Sequence, residues 1–229
     1  MGNFKIGFIE FMLSAGALRF GDFTTKSGRK TPYFINTGAY VKASQIQKLG
    51  EFYAQAIHAA FGFDVDNLFG PAYKGIPLAV TASIAMNGLF QQDVTYTFNR
   101  KELKDHGEGG TLVGYNYASH GTEGKLCKVV IIEDVTTAGT SIRESLPLIS
   151  LPGISPIGLV VSVDRMERGK GPRPALQEIE EDFGLKTTAI VTLMDILAYL
   201  ESGAGSQFLS LDPGLLERMK AYRLEYGAV

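Results

Sequence analysis

Five short apolar runs, four of them rich in β-branched residues, constrain the fold of this chain more than any other feature. The runs are LFGPA, VTYTFN, KVVIIED, IGLVVSVD and TTAIVTL, and stretches with helical spacing separate most of them. Strands this apolar are typically buried on both faces, and alternation of strands with helices is typical of parallel sheets. We therefore predict an α/β fold with a mainly parallel sheet, at about residues 65–195, flanked by helices.

The N-terminal part of the chain fits this alternation poorly. Apolar spacing predicts a helix near residues 4–17 and a second from about Ser44 to Ala60. Between them, Gly28 and Pro32 break the chain into short extended pieces. We expect residues from about 1 to 40 to form a small N-terminal hood subdomain over the sheet.

The C-terminal part, at about residues 195–229, is expected to be helical. Asp212 has the character of an N-cap and Pro213 suits a first helical turn, so together they predict the start of the last helix. The Gly/Ser-rich segment ESGAGSQF at 201–208 is expected to be a flexible link. The whole chain, 1–229, is expected to be one domain.

Composition excludes several classes of function. A formal net charge of −2 and a pI near 6.0 give no electrostatic footprint for nucleic acid or for an anionic membrane surface. The charge-free stretch from Gly75 to Phe90 is shorter than the ~20 residues of a membrane span, so we interpret it as a buried helix. The single cysteine, Cys127, cannot form an internal disulfide and is expected in the core. These features favour a soluble, cytoplasmic protein.

The stretch VVIIEDVTTAGTS at 129–141 is the strongest functional motif, because a strand ends in two carboxylates and a glycine loop. In open α/β sheets, ligands bind beyond the carboxyl ends of the strands. Hydroxyls and amides around Gly139, at the start of a helix, would bind a phosphate. Glu133 and Asp134 repel phosphate but would accept hydrogen bonds from vicinal hydroxyls or stand beside a cation. A sugar phosphate offers both groups, whereas a solvated strand end with a helix cap is the structural alternative.

This motif is neither a P-loop nor a dinucleotide fingerprint, since Gly-Lys-Ser/Thr and G-x-G-x-x-G are both missing. It resembles the 5-phosphoribosyl 1-pyrophosphate motif of type I phosphoribosyltransferases. Further stretches resemble successive motifs of orotate phosphoribosyltransferases, in the family's order and over nearly the whole chain. They are FTTKSGRKTPYFINTG at 23–38, GPAYKGIPLA at 70–79, FNRKELKDHGEGG at 98–110 and VSVDRMERG at 161–169.

The resemblance implies a reaction, a cofactor and an assembly. The reaction would be transfer of the 5-phosphoribosyl group from 5-phosphoribosyl 1-pyrophosphate to orotate, giving orotidine 5′-monophosphate and pyrophosphate in UMP biosynthesis. Mg²⁺ would be held mainly by substrate and water, so no residue is assigned as a certain metal ligand. A homodimer is implied, in which the 100–110 loop closes over the partner's site as a catalytic lid.

The resemblance also implies the site residues. The catalytic set is Arg100, Lys104, His106 and Asp134. The orotate set is Lys26, Phe34, Ile35, Thr137 and Arg165. The set for 5-phosphoribosyl 1-pyrophosphate is Lys26, Tyr73, Lys74, Arg100, Lys101, Lys104, His106, Glu133, Asp134, Val135, Thr136, Thr137, Ala138, Gly139, Thr140 and Ser141.

Plainer interpretations of these residues stay open. Lys74 alone would be read as an exposed loop lysine, and the 98–110 charge run as a solvated hairpin. Arg165 has a structural alternative in a pair with Asp164. At the level of function, the rivals are a phosphoribosyltransferase for another base, which should lack Lys26 and Arg165, and a non-catalytic regulator that senses the sugar pyrophosphate. A fused enzyme that also decarboxylates the product would need a second barrel domain.

Overall fold

The computed structural model describes residues 2–25, 28–102, 111–117, 126–135, 139–168, 171 and 173–228. Its strands are β1 (Leu18–Thr24), β2 (Lys30–Ile35), β3 (Asn67–Gly70), β4 (Thr95–Asn99), β5 (Leu112–Gly114), β6 (Cys127–Glu133), β7 (Ile154–Asp164) and β8 (Lys186–Thr192). Its helices are α1 (Asn3–Ser14), α2 (Ala43–Phe61), α3 (Gly75–Phe90), α4 (Thr140–Ile149), α5 (Ala175–Phe183), α6 (Leu193–Glu201), α7 (Ser206–Leu211) and α8 (Leu215–Tyr226). Short 3-10 helices lie at Thr37–Ala39 and Gly203–Gly205.

A six-stranded sheet in the order β5-β4-β3-β6-β7-β8 forms the centre of the fold. The pairings from β4 through β8 are parallel, and only β5 at one edge pairs antiparallel. The predicted α/β architecture, a mainly parallel sheet flanked by helices, is therefore confirmed.

Alternate residues of the central strands pack on opposite faces of the sheet. In β6, Val129 and Ile131 belong to one buried cluster, together with residues of α4 and α5. Val130 and Ile132 belong to a second cluster, with residues of α1, α2, α3, α6 and α8. Burial on both faces explains why these strands read as continuous apolar runs. The sheet is thus covered on both sides, and its strand ends are left for function.

The N-terminal hood consists of α1 and the antiparallel β1–β2 hairpin. Phe8 of α1 meets Phe52 of α2 edge to face, with ring centroids 4.9 Å apart. Tyr33 of the hairpin meets Tyr222 of α8 in the same way at 5.6 Å. These side chains share one buried cluster with the sheet. The organisation as a single domain stays a prediction. The exact boundaries of the hood stay a prediction.

The C-terminal part corrects two expectations. The last helix begins at Leu215 after Gly214, not at Asp212 and Pro213. The carboxylate of Asp212 forms an ion pair with Arg218 and also accepts a hydrogen bond from the Gly214 amide, so it contacts the start of the helix without being its N-cap residue. The predicted flexible link is also wrong, because residues 203–211 are ordered as a 3-10 helix followed by α7.

Helix α3 is only partly buried, although its sequence carries no charge. Leu78, Ala82 and Met86 enter the core. Ile84 is 67% exposed and Leu89 is 48% exposed, so one apolar face is open. Cys127 is fully buried, as expected. None of the described helices is both long enough and apolar enough to cross a membrane.

Candidate active site

The order of the strands identifies the ligand site at the carboxyl ends of two neighbouring strands. From β3 the chain continues to β4 on one side, while from β6 it continues to β7 and β8 on the other. β3 and β6 are neighbours, so the direction of winding reverses between them. Ligands of open α/β sheets bind beyond the carboxyl ends of the strands at such a point. Here those ends are Gly70 and Glu133.

The loop from β3 to α3 is held close to the sheet by two glycines. A Cβ atom at Gly70 would lie 2.2 Å from the carbonyl oxygen of Gly75, and one at Gly75 would lie 2.9 Å from that of Ile132. Gly75 is therefore needed for close packing of α3 on β3 and β6, rather than only for approach to a phosphate. The Ala72 amide donates to Asn99 Oδ1 at 2.8 Å, which ties this loop to the end of β4.

Glu133 lies at the end of β6, where its side chain is almost fully buried. The Ser141 hydroxyl donates to Oε2 at 2.6 Å, and the Asp134 amide donates to Oε1 at 3.0 Å. The phenol of Tyr53 donates to the Glu133 carbonyl at 2.7 Å. Burial is the main reason that the pKa of Glu133 is raised above its ordinary value. Ser141 therefore orients this carboxylate in addition to the phosphate role predicted for it.

Asp134 accepts hydrogen bonds on both carboxylate oxygens. Oδ2 receives the Thr37 hydroxyl at 2.6 Å and the Lys74 ammonium at 2.9 Å, and Oδ1 receives the Val135 amide at 2.7 Å. Burial on its own would raise the pKa of Asp134, but donation from Thr37 and Lys74 holds it below its ordinary value. A cavity of about 200 Å³ lies beside this group and is lined by Thr37, Lys74, Asp134 and Ser162 together with apolar side chains.

Gly139 lies directly before α4. It has φ +65°, a conformation that favours glycine, and a Cβ there would lie 2.9 Å from Cδ1 of Ile179. α4 then begins at Thr140. The expected glycine conformation at 139 and the helix start are confirmed, which puts backbone amides of the helix N-terminus beside the two carboxylates.

The loop from β4 to β5 brings a further cation, Lys101, to the same ends of the strands. The Lys101 ammonium lies 5.3 Å from the centre of the Tyr73 ring. The Arg100 amide donates to the Thr111 carbonyl at 2.7 Å, at the end of the β4–β5 pair. The structure therefore brings Tyr73, Lys74 and Lys101 together, as the sequence predicted.

Arg165, at the end of β7, pairs with Glu167 and not with Asp164, the structural partner considered from the sequence. Its Nε and Nη2 donate to Glu167 Oε1 at 2.8 and 2.6 Å, and its guanidinium lies 5.0 Å from the Tyr33 ring centre. The alternative pair with Asp164 is wrong, because that carboxylate accepts the Met166 amide at 2.8 Å. The structural partner of Arg165 is Glu167.

Phe34 and Ile35 lie on the hairpin of the hood. Phe34 is 39% exposed and stacks on Phe23 with ring centroids 5.5 Å apart. Neighbouring residues of a strand point to opposite faces, so Phe34 points away from the face on which Tyr33 meets Arg165. Ile35 packs against the core. The described residues therefore do not bring Phe34 and Arg165 onto one face.

Comparisons with known proteins agree with this geometry. The model of the phosphoribosyl transferase domain family matches residues 36–193. An orotate phosphoribosyltransferase of Lachnoclostridium phytofermentans is 53% identical over 99% of both chains, and one of Clostridium beijerinckii is 52% identical over 100% of both. The chain belongs to the orotate phosphoribosyltransferase family. The crystal structure of the orotate phosphoribosyltransferase of Francisella tularensis, 35% identical, matches with a TM-score of 0.81 over 96% of this chain and 99% of that one.

Part of the orotate phosphoribosyltransferase site predicted from sequence falls outside the described residues. These positions are Lys26, Lys104, His106, Thr136, Thr137 and Ala138. The lid and the centre of the phosphate loop therefore stay predictions. Within the described part of the chain, one site at the carboxyl ends of β3 and β6 brings together the two carboxylates, the loop cations and Gly139.

Several residues that support the site were not identified from the sequence. Thr37 binds Asp134, Asn99 anchors the loop before Lys74, and Glu167 and Tyr222 bind Arg165. Thr37, Asn99 and Glu167 lie within the motifs quoted above, so their place in these motifs could have marked them as site residues. Tyr222 lies in none of these motifs, because only folding brings α8 to the end of β7.

Proposed function

We propose that this protein transfers the 5-phosphoribosyl group from 5-phosphoribosyl 1-pyrophosphate to orotate, giving orotidine 5′-monophosphate and pyrophosphate in pyrimidine biosynthesis. The proposal rests on the ion pair between Lys74, which follows β3, and Asp134, which follows β6, in a chain of this family. The pair bridges the two strands between which the direction of winding reverses. One site thus offers a cation for a pyrophosphate and carboxylates for ribose hydroxyls.

The ribose 5-phosphate end is assigned to the loop after β6. Glu133 and Asp134 accept hydrogen bonds from the ribose hydroxyls, and their negative charge favours the positive charge that develops on the sugar ring. The residues from Val135 through Ser141 bind the 5′-phosphate through amides and hydroxyls at the N-terminus of α4. This division keeps the carboxylates away from the phosphate that they would repel.

The pyrophosphate end is assigned to the cations. Breaking the bond between the anomeric carbon and pyrophosphate leaves negative charge on the departing oxygens, so catalysis consists mainly of positioning and electrostatic stabilisation. Lys74 and Lys101 flank Tyr73 at this end. Arg100, Lys104 and His106 complete the set by resemblance, and closure of the lid would exclude water that competes for the ribosyl cation.

Orotate is assigned to the hood and to the end of β7. Arg165 offers a planar fork that matches the carboxylate of the base. Lys26, Ile35 and Thr137 are assigned to the base through the resemblance alone, whereas Phe34, on the other face of the hairpin from Arg165, is not kept in the base site.

The acidic pair fits the Mg²⁺ that the family implies. The carboxylates of Glu133 and Asp134 are hard oxygen donors beside the substrate position. Two such donors would leave most of the octahedral shell of a small cation to substrate and water. When bound, Mg²⁺ neutralises charge on the pyrophosphate.

The proposal includes a cytoplasmic homodimer in which the 100–110 loop acts on the partner's site. Mixing Lys104→Ala with Asp134→Asn tests the arrangement, because each variant has a defect that the other lacks. If the loop acts in trans, a re-associated equimolar mixture regains about a quarter of wild-type activity, since half of the dimers have one intact site. If the loop acts within its own subunit, the mixture stays as inactive as its components.

A spectrophotometric assay of base consumption tests the substrate assignment. The enzyme, Mg²⁺ and 5-phosphoribosyl 1-pyrophosphate are incubated with orotate and, in parallel, with uracil, adenine or hypoxanthine. We expect turnover of orotate to exceed that of each other base by orders of magnitude. Faster turnover of another base would overturn the base assignment while keeping the sugar site, and binding of the sugar pyrophosphate without turnover would favour a regulator.

A further inference from the structure

Glu167 is the centre of a cluster that joins three separate parts of the fold. Its Oε1 accepts Nε and Nη2 of Arg165 at 2.8 and 2.6 Å and the Tyr222 phenol at 2.7 Å. The Tyr33 phenol lies 3.4 Å from the same oxygen, and Arg29 Nη1 lies 3.1 Å from Oε2. The hood, the end of β7 and the C-terminal helix thus meet on one carboxylate.

These contacts fix the direction of the Arg165 guanidinium. Nε and Nη2 share one edge of the group, and this edge meets Glu167 and, at 3.2 Å from Nη2, the Tyr222 oxygen. The Tyr33 ring, 5.0 Å from the guanidinium carbon, limits rotation of its plane. Nη1, on the side of the group away from Nε, is the donor that we assign to a ligand carboxylate.

The cluster is buried and only partly neutralised. The side chains of Glu167 and Arg165 are 13% and 15% exposed, and Tyr222 is buried. Burial raises the pKa of the Tyr33 phenol, which therefore stays a protonated donor at neutral pH. Glu167 faces the guanidinium groups of both Arg29 and Arg165, so these three groups together keep a positive charge. A buried site of this kind favours an anionic ligand.

We infer that Glu167 and Tyr222 are positioning residues that aim Arg165 at the carboxylate of the base, so that the C-terminal helix contributes to selectivity for a carboxylated pyrimidine. The inference rests on the proposed contact between Arg165 and orotate. A purely structural role would differ, because the cluster would then only hold α8 against the sheet and would have no effect on the choice of base.

The test uses Glu167→Gln and Tyr222→Phe, which keep the shape of each side chain. We measure KM and kcat for orotate at saturating 5-phosphoribosyl 1-pyrophosphate, and the ratio of kcat/KM between orotate and uracil, which lacks the carboxylate. We expect KM for orotate to rise about three- to tenfold in Tyr222→Phe and more than tenfold in Glu167→Gln, with a matching fall in the ratio. KM for the sugar pyrophosphate should stay within about twofold of wild type, because its proposed site at the ends of β3 and β6 does not include Glu167 or Tyr222.

A loss of folded protein would lower kcat for both bases without changing KM or the ratio. If melting temperature falls while KM for orotate and the ratio stay at wild-type values, the positioning role is wrong. Tyr226→Phe is the matched control, because its ring lies 4.9 Å from that of Tyr222 on the same helix and packs under Arg29 rather than Arg165. The control should leave the ratio unchanged.

Arg165→Ala separates this inference from the proposed function. If Arg165→Ala leaves KM for orotate unchanged, the proposed orotate contact fails and the inference fails with it. If Arg165→Ala raises KM for orotate while Glu167→Gln and Tyr222→Phe do not, the contact stands and only the positioning role is overturned. An increase in all three variants supports both.

Discussion

The ammonium of Lys74 lies 2.9 Å from Oδ2 of Asp134, and the hydroxyl of Thr37 contacts both groups. Two residues assigned to opposite ends of one substrate are thus paired with each other. Lys74 is 65% exposed, and an ion pair with so exposed a partner contributes only about 0–1 kcal/mol. In the proposed mechanism the substrate would separate this weak pair, with ribose hydroxyls replacing Lys74 on Asp134 and the pyrophosphate taking the ammonium.

Lys74→Ala should raise KM for 5-phosphoribosyl 1-pyrophosphate by roughly tenfold or more, because a charge-assisted contact to the pyrophosphate is lost. Lys128→Ala is a matched control, since this lysine also forms an ion pair, with Asp64, but at the opposite end of β6. Steady-state kinetics at saturating orotate measures both. Equal effects of the two substitutions would mean that Lys74 has no particular role in binding.

Thr37→Val should weaken binding of 5-phosphoribosyl 1-pyrophosphate about three- to tenfold, because it removes the hydroxyl that orients Asp134 while keeping a branched side chain. KM for orotate should change little. Isothermal titration with the sugar pyrophosphate alone, with a thermal melt to verify folding, measures the effect. Wild-type affinity in a folded variant would exclude Thr37 from the site.

Affinity for 5-phosphoribosyl 1-pyrophosphate should fall as pH decreases through neutrality. Burial raises the pKa of Glu133 to about 7, so this carboxyl becomes protonated below that pH and accepts fewer hydrogen bonds from the ribose. The binding contribution of Glu133 is therefore present above about pH 7 and lost below it. Binding measured from pH 6 to 9 for wild type and Glu133→Gln checks this. If wild type and Glu133→Gln bind with the same pH dependence, the prediction is wrong, because that dependence would then come from ionisation of the ligand.

Gly139→Ala should destabilise the fold by about 1–3 kcal/mol and also abolish tight binding of the sugar phosphate, because both backbone strain and a clash with Ile179 distort the turn. Gly184→Ala is the matched control: its φ of +67° is nearly the same, no atom would contact the new Cβ, and it lies at the end of α5. We expect the control to lose about 1–2 kcal/mol of stability with unchanged KM values. A wild-type KM in folded Gly139→Ala would remove this turn from the phosphate site.

The sheet could be predicted because burial on both faces leaves a strong local signal. Runs such as KVVIIED end within a residue or two of the observed strands, whereas β5 escaped prediction because it has only three residues at an edge. The start of α8 was mispredicted since Asp212 pairs with Arg218, an interaction that local capping rules do not include.

The site shows the same division between local and long-range information. Glu133, Asp134 and Gly139 are close in sequence, so one motif predicts them. Thr37 meets Asp134 across 97 residues and Tyr222 meets Glu167 across 55. Such contacts depend on how the hood and the last helix pack on the sheet, which residue spacing does not report.

Product analysis tests the central claim most directly. Purified wild-type protein and Asp134→Asn are incubated with orotate, 5-phosphoribosyl 1-pyrophosphate and Mg²⁺, and orotidine 5′-monophosphate and pyrophosphate are quantified by mass spectrometry. The account predicts equimolar formation of both products by wild type and a loss of roughly a hundredfold or more in a folded Asp134→Asn variant. Absence of orotidine 5′-monophosphate with wild type, or undiminished formation with the variant, would contradict it.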